Sequence, residues 1–120
     1  MISRTAAANA TAVVVRNGAT LIKNIKVEQR ASAAAALFLQ IFNTNAPTVG
    51  ITAPVEVHRV TAGDASLILT FSKVEFQGMQ GGFKLDTGFS YAVTTTPTGS
   101  TNPTAGQEPV VEIHYEQLGA

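Results

Sequence analysis

The chain has no cysteine and no tryptophan, and only 13% of its 120 residues are charged. Without cysteine there is no disulfide and no thiolate metal site, so stability has to come from a buried apolar core. An average soluble domain carries about 25% charged residues. Here Lys+Arg and Asp+Glu both number 8, and the formal net charge is zero. Nucleic-acid binders advertise a basic excess because neutralising phosphates supplies most of their affinity; none is present, and nucleic acid is not expected as a partner. A low-charge, near-neutral surface favours association, which suggests that part of it is covered in the working state. The alternative is a solvated surface of Thr, Ser, Asn and Gln. No apolar run approaches the roughly 18–20 residues that span a bilayer, so no membrane partner is expected. In the opening MISRTAAANATAVVV, Thr5, Asn9 and Thr11 interrupt any apolar stretch of the signal-peptide kind. Asn9-Ala10-Thr11 has the spacing of a glycosylation sequon, which matters only in a secreted eukaryotic protein.

What the chain does have is a period of two. In the run 37–42, Leu37, Leu39 and Ile41 share one face, while Phe38, Gln40 and Phe42 share the other. Ile25 and Val27 alternate with Asn24, Lys26 and Glu28. The runs starting at Val55, Ser66 and Val110 alternate in the same way, which is the pattern of half-buried antiparallel strands. Asn17-Gly18 between two such runs carries the strongest short hairpin signal, and Ala62-Gly63-Asp64 separates two more. Segment 45–50 is a Pro/Gly loop, and the polar segment Thr96 to Glu108 is expected as an exposed excursion. Ala31 to Ala36 has high helix propensity but also suits a tightly packed strand or an arm. A length of 120 residues fits one domain that buries about 65% of its unfolded surface. Seven to nine short strands joined by Gly, Pro and Asn turns read as all-β, an antiparallel sandwich or jelly roll.

Residues that carry chemistry are sparse. Glu56-x-His58 and Glu112-x-His114 each put an acid and an imidazole on one outward strand face, and the two pairs would form a metal site if their strands were adjacent. Outward strand positions are also where His and Glu ordinarily sit, so no metal or other cofactor is expected. The acids show no pairing for general acid–base work, there is no Gly-x-Ser-x-Gly elbow, and the Gly78–Gly82 run lacks the Lys-Ser/Thr of a phosphate loop. The chain is therefore expected not to be an enzyme. Phe38 and Phe42 lie opposite the aliphatic face of their strand, either turned outward as an interaction patch or buried under a second layer. Phe89 and Tyr91 alternate with small residues and fit either role.

The order of segments LFLQIFNTNAPTVGITAPVEVHRVTAG (37–63), LILTFSKVEF (67–76), GFKLDTGFSYAVTT (82–95) and VVEIHYEQ (110–117) resembles small structural proteins of bacteriophage virions. The Ala46-Pro47-Thr48-Val49-Gly50 loop and the Thr87–Thr95 strand carry the resemblance, which covers about two-thirds of the chain. It implies a capsid decoration (cement) protein, jelly-roll-like and commonly trimeric, seated on the major capsid protein at the outer surface of the virion head. The expected organisation is an extended N-terminal arm over residues 1–12 and a single β-sandwich domain over 13–120. Phe38 and Phe42 are the expected trimer contacts, and Arg4, Thr5, Asn9 and Thr11 the expected capsid contacts. The alternative is a receptor- or carbohydrate-binding module of a phage fibre or tail, using the 96–108 loop and Tyr91.

Overall fold

A computed structural model describes residues 1–30, 35–62, 66–70 and 82–118. Within them the chain forms nine strands and no helix: β1 Ile2–Thr5, β2 Val13–Asn17, β3 Thr20–Glu28, β4 Leu37–Phe42, β5 Glu56–Val60, β6 Ser66–Thr70, β7 Phe83–Leu85, β8 Gly88–Thr94 and β9 Val110–Gln117. They make two antiparallel sheets. The first, sheet A, runs β1-β9-β3-β6, with β7 also paired to β3; the second, sheet B, runs β2-β8-β4-β5. Part of Ala31–Ala36 and most of Gly78–Gly82 lie outside the described residues.

The sheets face each other across one core. Ile22, Ile25, Val27, Val111 and Ile113 enter it from sheet A, and Leu37, Leu39, Ile41, Phe89, Tyr91 and Val93 from sheet B. These are the apolar members of the alternations in β3, β4, β8 and β9, so in those strands the period of two in the sequence marks the inward face. Phe89 sits 6.2 Å from the Tyr91 ring and 6.4 Å, edge-on, from Tyr115 of the opposite sheet. Such offset aromatic contacts add to plain area burial.

Consecutive strands mostly change sheets. The Asn17-Gly18 signal therefore does not make a hairpin: β2 pairs with β8 and β3 pairs with β9, β6 and β7. The turn is a corner from one sheet to the other. Strands β5 and β6, on either side of Gly63-Asp64, also lie in different sheets, although residues 63–65 of that connection are outside the described set. A turn dipeptide reverses the chain equally well across a core and within a sheet, and only the pairing distinguishes the two outcomes.

The two central strands of sheet B, β8 and most of β4, are buried on both faces. On their outer side Gln40, Phe42, Ser90 and Thr94 are all 0% exposed. Two connections fold back over them. From residues 43–55, Thr44 O accepts the Ser90 hydroxyl at 2.7 Å and Asn43 Oδ1 accepts Thr87 N at 2.9 Å. Gly88 is pressed so closely beneath this loop that a Cβ there would lie 2.8 Å from Asn45 N. From residues 95–107, the Gly99 carbonyl accepts a 3.0 Å hydrogen bond from the Gln40 amide, which also donates to Thr94 Oγ1 at 2.7 Å. The segment expected as an exposed excursion is exposed over most of its length, as expected, and it also packs onto the sheet as a lid, with Pro103 buried.

The expected arm is likewise part of the sheet structure in this chain. Strand β1 pairs with β9 from Ile2↔His114 to Thr5↔Val111. Ala8 is buried in the core, and Asn9 O accepts Val93 N of sheet B at 2.9 Å. Residues 1–12 therefore cross from the edge of one sheet to the edge of the other. Of the alanines and threonines on this course, only Ala8 is fully buried, and its small side chain joins the core.

Phe42→Ala is expected to cost about 3–5 kcal/mol, the range for truncating a fully buried aromatic side chain. Urea unfolding measures it, and a cost below about 1 kcal/mol would mean that the loops do not seal the outer face of sheet B.

Candidate functional site

The residues expected to make contacts are dispersed by the fold. Phe42 is fully buried within the chain, so it offers no surface to another copy; the loop over sheet B takes the place of the expected partner. Phe38 is half-buried on the same outer face, between Arg59 of β5 and Thr94 of β8. Arg4 is exposed on the outer face of sheet A, and Thr11 is exposed in the crossing segment. Thr5 and Asn9 are engaged internally. The Thr5 hydroxyl bonds the Tyr91 hydroxyl, and Asn9 Oδ1 accepts Thr11 N at 2.8 Å. Tyr91 itself is 0% exposed, so its ring is closed to any sugar. Burial pushes its phenol pKa up, with the Thr5 and Ser3 hydroxyls acting in the opposite sense.

The two His–Glu pairs form as spaced but do not meet. His114 Nε2 lies 3.0 Å from Glu112 Oε1 on the outer face of β9 in sheet A. His58 Nε2 lies 3.2 Å from Glu56 Oε1 on β5 in sheet B. The expectation that His58 points outward is corrected. Opposite residues of an antiparallel pair share a face, and the cross-strand partners of His58 and Glu56 are the core residues Leu39 and Ile41. The apolar Val57, at 36% exposed, points out instead. Strand β5 ends its sheet, so its inward side reaches the rim of the core, where a polar side chain can still touch water. Among the described residues no three His, Asp or Glu side chains come together to hold a metal ion.

On the outer face of sheet A the charges form a cross-strand row. Arg4 of β1 opposes Glu112 of β9, which opposes Lys26 of β3. A shallow cleft lies among Arg4, Lys26, Glu28, Val110 and Glu112. Lys26 Nζ is 2.7 Å from Glu28 Oε1. The hydrogen bond and charge of Glu28 raise the Lys26 pKa, and the same contact lowers that of Glu28. Both side chains are nearly half exposed, so water screens the pair and its contribution to stability is small. This face carries a solvated row of charges of alternating sign.

The exposed apolar residues were not singled out by sequence reasoning. Among the described residues they are Ile51, at 83%, with Met1, Ile2, Ile68, Val14, Val55 and Val57. Ile51 and Val55 stand on the 43–55 loop, and Val57 lies on β5, the edge strand of sheet B. An inverted alternation around Val55 and Val57 was the available signal, hidden by the usual assumption that valine faces the core. Comparison with family models, curated proteins and solved structures finds no match to the chain.

Thr5→Val leaves the buried Tyr91 hydroxyl short of a partner and is expected to cost about 1–3 kcal/mol in denaturant unfolding. An unchanged midpoint would show that water or Ser3 replaces the bond. Lys26→Met should move the Glu28 titration, followed by carboxyl NMR, up towards the ordinary carboxylate value. Because the folded pKa of Glu28 is depressed, the pair favours the fold above the unfolded carboxylate pKa and loses that effect as pH falls through the lowered one. A Glu28 titration unmoved by the substitution would mean that Lys26 is not its partner in solution.

Proposed function

We propose that the chain is a jelly-roll structural protein of a bacteriophage virion, a decoration (cement) protein that binds the outside of the head and stabilises it. The observation that carries this reading is the strand order, β1-β9-β3-β6 facing β2-β8-β4-β5. With β7 set aside as an extra strand on sheet A, successive strands weave between two four-stranded layers. A double-sheet, Greek-key arrangement of this kind supports the jelly-roll reading, and jelly rolls recur in viral capsid and lectin domains. Fold alone does not assign function. The resemblance in segments 37–63 and 82–95 to phage virion proteins supplies the second support. The engaged hydrogen-bonding groups of the loops and the closed Tyr91 ring favour a part that presents surfaces over one that cradles a ligand.

In this reading the partners are the major capsid protein and further copies of the chain as a homotrimer, with no cofactor, no catalysis and no contact with nucleic acid or membrane. Modest contacts at each subunit are multiplied by simultaneous engagement of a symmetric lattice. A self-contained core suits that role, because the protein has to fold first and then bind an assembled shell. Arg4 and Thr11 are the two expected capsid-contact residues with exposed side chains, and both remain candidates for it.

Quantitative mass spectrometry of purified phage particles tests the assignment. Copies in numbers comparable to the major capsid protein are the expected result. A handful of copies per particle would move the protein to a fibre or tail, and absence from mature particles would overturn the virion role.

A further inference from the structure

The charges of this molecule are segregated. Residues 35–55 and 87–107 contain none of the eight basic and eight acidic residues. These stretches supply β4, β8 and the two loops that cover sheet B, so the outer layer over that sheet is free of ionised side chains across both loops. The opposite face, on sheet A, carries Arg4, Lys26, Glu28 and Glu112.

The neutral layer is also held in shape. Ile51 N and Thr52 N both donate to Thr48 O, at 2.9 and 2.8 Å, and Thr48 N donates to Thr52 Oγ1 at 2.9 Å. These bonds close a tight turn that needs a positive φ of 90° at Gly50. The second loop is fastened by Thr95 N to Thr101 O at 3.1 Å and by Ala10 N to Asn102 Oδ1 at 3.0 Å. The two loops touch: a Cβ on Gly50 would stand 3.0 Å from Ser100 Cβ. On this braced platform Ile51 is 83% exposed and Val55 47%.

We propose that the loop layer over sheet B, centred on Ile51 and Val55, is the surface through which copies of this chain associate. The proposal rests on the homo-oligomeric part of the function proposed above and names its interface. Three physical considerations converge. Charged residues are depleted from the cores of protein interfaces, because each would have to be desolvated. A preformed surface loses little conformational entropy when it is covered. The third selects the occupant. The two loops offer no counter-ion, and the one charge beside them on this face is the exposed Arg59 of β5 at its margin, so a strongly charged partner would leave most of its own charges desolvated and unpaired against them. A second copy brings the same neutral face or its margin, and no like-charge repulsion arises. Sheet A, with its hydrated charge row, is left towards solvent or towards a charged lattice.

Light scattering after size exclusion tests this with three proteins: the natural chain, an Ile51→Glu/Val55→Glu double variant, and a Lys26→Glu/Glu112→Lys double variant on sheet A. The expected result is that the natural chain and the sheet A variant are trimers, while the loop variant is a monomer with an unchanged circular dichroism spectrum. A loop variant that stays oligomeric, or loss of association only in the sheet A variant, overturns the assignment. Hydrogen exchange of the natural chain gives a reading that needs no variant. Amides of 43–55 and 95–107 should gain protection between dilute and concentrated samples, and concentration-independent exchange there counts against the interface. A natural chain that is monomeric at high concentration sinks this inference. The virion copy number then still decides the decoration role separately.

Discussion

The fold depends on how sheet B hides its outer face. A sheet at the surface of a two-layer protein normally keeps one side wet, but here Gln40, Ser90 and Thr94 on the outer side are as inaccessible as Leu39 and Val93 on the inner one. Buried polar groups without partners cost a kcal/mol or more, roughly 1–3 each, so these side chains require acceptors brought to them by the rest of the chain. The connections after β4 and β8 bring those acceptors as backbone carbonyls. Gly99 and Thr96 receive the Gln40 amide and the Thr94 hydroxyl, and Thr44 receives Ser90. Long loops, which are usually the loose parts of an all-β protein, are thereby fixed to the sheet. The neutrality of the outer side chains of β4 and β8 follows from the same constraint, since an ionised side chain beneath the lid would have had to give up its water.

Much of the first layer of organisation was legible in the sequence. The alternation in Leu37–Phe42, Asn24–Glu28 and Val110–Tyr115 located strands and named their core-facing residues, because period two is a local property of an extended chain. Pairing is not local. Asn17-Gly18 has the composition of a hairpin turn, yet its flanking strands belong to different sheets. Phe42 carried two readings, outward or under a second layer, and the sequence could not choose because the covering group lies in a distant loop. His58 failed for the opposite reason. Its neighbours alternate cleanly, but at the end of a sheet the inward side is only a rim, and the polar residues take it while Val57 turns out.

The N-terminal twelve residues show how composition can mislead. Rich in alanine and threonine, they hold too little apolar bulk for a core of their own. They need none. Strand β1 borrows hydrogen bonds from β9, Ala8 fills a gap in the shared core, and Asn9 ties the segment to Val93. The segment spans the open side of the two sheets, and the Thr5–Tyr91 contact fastens it from within. The absence of charge along 35–55 and 87–107 was present in the sequence throughout, but it acquires meaning only once both stretches are seen to cover one sheet.

Association through a face is consistent with what the sheet edges carry. Exposed strand edges invite pairing with other chains, and proteins blunt them with bulges, inward-pointing charges and short strands. In sheet B, β2 is irregular between Val14 and Arg16, and β5 turns Glu56 and His58 to its inner side. A second strand laid on β5 would extend the core past those two polar groups and leave them between apolar layers. In sheet A, β1 is only four residues long and carries Arg4. Each of these three edges resists extension by another strand, so growth across molecules is disfavoured for sheet B and for sheet A at β1. What remains for specific contact is a face, and of the two outer layers the neutral, hydrogen-bonded one can be covered with the smaller loss of hydration.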